Sequence, residues 1–89
     1  MKQHPTLPYQ LDELGNVYDL KGKGIQPKLY SKDGYYCVSK YHVHVLMGET
    51  FLGLLDKPEL IVNHKDGVKS NLRLSNLELT TYSGNLIHA

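Results

Sequence analysis

Ile61-Val62-Asn63-His64-Lys65-Asp66-Gly67-Val68-Lys69-Ser70-Asn71-Leu72-Arg73-Leu74-Ser75-Asn76-Leu77-Glu78-Leu79-Thr80-Thr81 is the stretch on which the fold turns. With Leu60 it opens on an apolar, β-branched run that reads as a short buried strand. Residues 63–75 are polar and carry neither a strand nor a helix period, which is the pattern of an ordered loop. Over 76–80, Leu77 and Leu79 fall on alternate positions and mark a second strand. Thr80 or Thr81 can N-cap a terminal helix over 82–88. The order is strand, long loop, strand, helix.

Upstream, Val43, Leu46, Met47, Thr50, Phe51 and Leu54 recur at three- and four-residue steps, so 42–55 reads as one amphipathic helix, stopped by Gly53, Asp56 and Pro58. Before it, Tyr9-Gln10-Leu11 and Val17-Tyr18-Asp19-Leu20 flank a Gly-Asn turn, a hairpin signal. Lys28-Leu29-Tyr30 and Tyr35-Tyr36-Cys37-Val38-Ser39 flank a second turn. Residues 9–41 thus form a small antiparallel β module, whose tyrosines are read as core or cross-strand groups rather than base-stacking groups. Residues 1–8, with Pro5 and Pro8 and no period, read as a frayed arm. The fold class is α+β: β module, helix, and a strand–strand–helix unit over 60–89, in one domain of 89 residues.

Composition narrows the function classes. The single cysteine, Cys37, excludes an internal disulfide and a four-cysteine zinc cluster. No run of about 18 apolar residues could span a bilayer, and no apolar stretch follows the first residues as in an export signal. An intracellular protein is expected. Ten Lys and Arg against nine Asp and Glu leave a formal charge of +1, so composition by itself does not suggest a polyanion as partner.

The quoted stretch, with Asn85 after it, resembles the HNH motif of phage and homing endonucleases. Val43-His44-Val45-Leu46 and Thr50-Phe51-Leu52-Gly53 resemble the helix that precedes the motif, and Gly15-Asn16-Val17-Tyr18 resembles the small β module often found before it. The resemblance covers nearly the whole chain from Tyr9. It implies the ββα-metal fold, duplex DNA as substrate, and one divalent ion, Mg²⁺ or Mn²⁺, per site. It also implies His64 as general base, Asn76 as the Asn that braces the catalytic loop, and Asn63 and Asn85 as metal ligands. Asn63 departs from the family, which usually has Asp or His there. A phage-encoded protein in a bacterial host is a further implication.

The residue types suit that chemistry. A neutral imidazole can take a proton from water at cellular pH, and amide carbonyls are hard oxygens of the kind Mg²⁺ accepts. Two neutral ligands bind weakly, so the ion is expected to arrive with substrate. Lys65, Lys69 and Arg73 flank His64 on one loop and are expected to meet phosphates. His44 is read as a phosphate contact or a helix packing group, and His88 as a phosphate contact or a third metal position. Asp66 and Asn71 are read as turn formers. His42 and His44, two apart on the expected helix, would diverge, which argues against a zinc site there. The expected activity is metal-dependent nicking or double-strand cutting. Its rival is a catalytically silent DNA-binding or phage interaction module; RNA as substrate is a third reading. Low net charge makes a homodimer or an accessory protein a plausible aid to grip.

Overall fold

The two hairpins read from the first half are present, each extended by further strands. In the computed structural model, which describes residues 1–30, 32 and 34–81, β1 (Lys2–Gln3), β2 (Gln10–Leu11), β3 (Val17–Tyr18) and β4 (Gly24–Ile25) form one antiparallel sheet in that order. The β2–β3 turn is organised by Asp12, whose carboxylate accepts from the Leu14 and Asn16 backbone N–H groups, the Asn16 side chain and the Tyr18 hydroxyl. Gly15, at φ 89°, lies so close to the later loop that a Cβ would stand 2.6 Å from the Leu72 carbonyl oxygen. A glycine is needed there both for the left-handed backbone and for the approach. The Leu74 N–H donates to the Glu13 carbonyl at 2.8 Å, so this hairpin is docked onto the loop that follows His64.

The second sheet contains β5 (Lys28–Leu29), β6 (Tyr36–Val38) and β7 (Tyr41–His42). It runs directly into helix α1 (Val43–Phe51). The helix is shorter than the expected 42–55. His42 is still extended and belongs to β7, and Gly53 at φ 73° breaks the other end, leaving a 3-10 turn over Leu54–Asp56. β8 (Ile61–His64) and β9 (Leu77–Thr80) form the third, two-stranded sheet, with Val62 opposite Leu79, Asn63 opposite Glu78 and His64 opposite Leu77. A 3-10 turn over Leu74–Asn76 ends the long loop. The expected terminal helix over 82–88 lies outside the described residues.

One core joins these parts: Leu11 and Val17 from the first sheet, Val38 from the second, Val43, Leu46 and Met47 from α1, and Val62 and Leu77 from β8 and β9. Strand alternation puts Val62 and His64 on the same face, and α1 packs against it. Gly48 permits this contact, since a Cβ there would overlap Val62 Cγ2.

Residues 1–8 are not frayed. β1 pairs with β2, and His4, 2% exposed, anchors the arm. His4 Nδ1 accepts from the Thr6 and Leu7 backbone N–H groups at 3.1 and 3.0 Å, so Nε2 carries the proton and donates to Glu49 Oε1 of α1 at 2.9 Å. His4→Ala would strand those donors and the acceptor, at a cost of about 1–3 kcal/mol. For a domain of this size Tm should fall by roughly 4–8 °C per kcal/mol. Calorimetry giving an unchanged Tm would show that the arm contributes nothing to stability.

Candidate functional site

β8 delivers His64 to the end of the third sheet, where its ring is 7% exposed. It lies beside two other rings: Tyr35, with centroids 6.0 Å apart, and His44, 5.2 Å away. Tyr35 and His44 are themselves stacked at 4.5 Å. His42 meets Tyr35 edge-on at 5.5 Å, and Lys69 Nζ lies 4.6 Å from the Tyr35 ring centroid, within cation–π range. These side chains, with Asn63 and Lys65, line one open groove.

The Nε2 atom of His64 is buried and has no hydrogen-bond partner among the described residues. Burial holds the imidazole pKa below its ordinary 6.5; Lys69 pushes the same way, and the nearby Asp66 opposes them without prevailing. At neutral pH the ring is therefore uncharged, with a lone pair free to accept a proton.

Asn76, 9% exposed, holds the loop behind it. Its Oδ1 accepts from the Asp66 N–H at 3.1 Å, and its Nδ2 donates to Asp66 Oδ1 and to the Asn71 carbonyl, both at 3.0 Å. The Lys65 N–H donates to the Asn76 carbonyl at 2.7 Å. Asp66 and Asn71 form turns, as read from the sequence: the Asp66 carboxylate accepts from Asn71 Nδ2 and the Val68 N–H, each at 2.8 Å. Those bonds, the Asn71 amide first, hold the Asp66 pKa below 3.8. Asp12 is also lowered; burial there acts upward, but the bonds from Asn16, Tyr18 and Leu14 outweigh it.

Folding stability should therefore decline in two windows as pH falls. His64 is harder to protonate folded than unfolded, so its contribution is present above 6.5 and is lost from there downward through its folded pKa. Asp66 and Asp12 contribute above their unfolded pKa of about 4 and lose that contribution as pH falls through their lower folded values. Asp66→Asn should flatten part of the second decline in a Tm-against-pH series and, by removing the negative charge that raises the His64 pKa, deepen the first. An unaltered acid limb would count against the Asp66 assignment.

Asn63 is half-buried, and its Nδ2 donates to Glu78 Oε1 at 3.0 Å. With the NH₂ committed, the carbonyl oxygen is the atom available to a hard cation, so the donor chemistry fits a Mg²⁺-type ligand. Asn85 and His88 lie outside the described residues. Lys65, Lys69 and His44 come together at the groove. Arg73 is exposed on the loop but is not among the described lining residues.

Sequence reasoning missed Tyr35, His42 and Glu78. Tyr35 was expected to be core or cross-strand, but it forms a wall of the groove. His42 and His44 were expected to diverge, but their rings are 5.4 Å apart, because His42 is in strand β7 rather than on the helix. The premise that the two rings diverge therefore fails; among the described residues no group of three or more His, Cys, Asp or Glu is placed to hold a metal. No helix among the described residues is long and apolar enough to cross a membrane.

A family profile described as HNH endonuclease matches residues 41–86. The chain is 36% identical over 89 residues to an uncharacterised HNH endonuclease of Acanthamoeba polyphaga mimivirus, an alignment covering 91% of this chain and 26% of that protein. Its structure is similar to that of the HNH homing endonuclease I-HmuI, reported for DNA binding and cleavage. The TM-score is 0.69 and the identity 30%, over 90% of this chain and 50% of that one. The chain thus spans about a quarter of the curated relative and half of the solved structure.

Proposed function

The chain belongs to the HNH endonuclease family, and from that premise we propose that it is a metal-dependent DNA endonuclease domain with His64 as general base. The observation that carries this reading is the buried His64, held neutral, with Nε2 unpartnered among the described residues, in a groove that Asn63 also lines. Similarity to a homing endonuclease described for DNA binding and cleavage supports duplex DNA as the substrate.

In this reading His64 Nε2 takes a proton from water as the water oxygen bonds to phosphorus and the bond to the 3′ oxygen breaks. Packing against Tyr35 and His44 fixes the ring, and Asn76 fixes the loop that follows it. Lys65 and Lys69 at the groove meet phosphate oxygens, with His44 beside them; Arg73, outside the groove, meets only flanking phosphates. Asn63, through Oδ1, and Asn85 would hold one divalent ion, Mg²⁺ or Mn²⁺. Such an ion, when bound, supplies positive charge to the phosphate and the departing oxygen. With a net charge of +1, a homodimer or an accessory protein would add grip.

The neutral Asn63 favours one second reading, a silent DNA-binding module that keeps the fold without the ion. Supercoiled plasmid separates the two. Purified protein should convert it to nicked circle or linear product with Mg²⁺ or Mn²⁺, and EDTA should stop the conversion. Plasmid retarded in a gel but uncut under every ion condition would establish the silent module.

A further inference from the structure

The Asn63 amide is not alone on its face of the third sheet. Its cross-strand partner is Glu78, and the two side chains are bonded Nδ2 to Oε1 at 3.0 Å. Directly opposed side chains on an antiparallel pair share a face and interact at close range. The acceptor is a carboxylate, so the amide must turn its NH₂ toward β9 and offer its oxygen elsewhere. Asn63 lines the groove, whereas Glu78 is not among the described residues that do, so Glu78 stands behind the ligand. Among the described residues no ion pair to Glu78 is found, so none of their cations neutralises its charge.

From this juxtaposition we infer that Glu78 is a positioning residue for the metal: it fixes the Asn63 amide with Oδ1 outward and supplies the negative charge that a neutral ligand lacks. The inference rests on the reading of Asn63 as a ligand. A carboxylate bonded to the far side of a ligand orients it and makes its donor atom more basic, and loss of such a partner typically costs about 10- to 100-fold in metal affinity. The position usually filled by an ionisable ligand is served here by two residues, an amide in contact with the ion and a carboxylate behind it.

The test is Mn²⁺ binding to the full chain, read from the electron paramagnetic resonance signal of free Mn²⁺, with Tm recorded for every variant. Glu78→Gln keeps the length and an oxygen acceptor for Asn63 and removes only the charge. It should weaken Mn²⁺ binding about 10- to 100-fold with little change in Tm, an effect a purely structural role would not produce. Glu78→Asp, which keeps the charge on a shorter arm, should bind Mn²⁺ more tightly than Glu78→Gln does. This second comparison decides the matter if Glu78→Gln by itself lowers Tm. Equal affinities with and without Glu78→Gln, while Asn63→Ala loses binding, would overturn the role of Glu78 and leave Asn63 as the ligand. Asn63→Ala binding as wild type does, or no wild-type binding at millimolar Mn²⁺, would overturn the ligand assignment and with it this inference.

Discussion

His64→Leu is expected to lower plasmid nicking by about 10²- to 10⁴-fold, the usual cost of losing a general base, without lowering Tm. The two halves of this result have one cause. A buried imidazole whose Nε2 has no partner among the described residues is a poor core group, because an unsatisfied buried polar atom costs on the order of 1–3 kcal/mol. Leucine fills comparable space next to Leu77 and Val62 without that cost. Equal melting temperatures by calorimetry, beside a lost activity, is the outcome that separates a functional from a structural His64. A large fall in Tm would assign the ring to the fold.

Asn76→Ala should act in the opposite way on stability. Its side chain makes three bonds to the Asp66 N–H, the Asp66 carboxylate and the Asn71 carbonyl, from a position 9% exposed. Alanine leaves these groups to find water in a partly buried loop. A loss of about 2–3 kcal/mol is expected, which for a domain of this size means a Tm lower by roughly 8–24 °C. Nicking should fall as well, because the same loop begins at the His64 carbonyl, which accepts from the Gly67 N–H at 2.9 Å. A strong loss of rate with Tm unchanged would instead put Asn76 in contact with the substrate or the ion.

The parts of this fold that were legible in the sequence are those specified by local pattern. The Leu-Ile-Val run, the Leu77/Leu79 alternation and the three-to-four spacing from Val43 gave β8, β9 and α1 without reference to any distant residue. What escaped was non-local. The arm is held by His4 and Glu49, 45 positions apart, and nothing in residues 1–8 announces that partner. Tyr35 became a groove wall because α1 and β8 bring His44 and His64 to it, not because of its own neighbours. The one-residue difference that put His42 in β7 rather than on α1 reversed the relation between two rings. The bond from Asn63 to Glu78 requires the register of β8 on β9, which a loop of uncertain path between them does not supply.

The central claim, that the groove around His64 hydrolyses DNA with the help of a divalent ion, is tested most directly by the initial rate of supercoiled plasmid nicking across a Mg²⁺ titration, for wild type and His64→Leu at matched DNA binding. Wild type should rise from background to a plateau, and the variant should remain about 10²-fold or more below it at every Mg²⁺ concentration. A His64→Leu protein that reaches the wild-type plateau, or a wild-type protein whose rate ignores Mg²⁺ and persists in EDTA, would contradict the account.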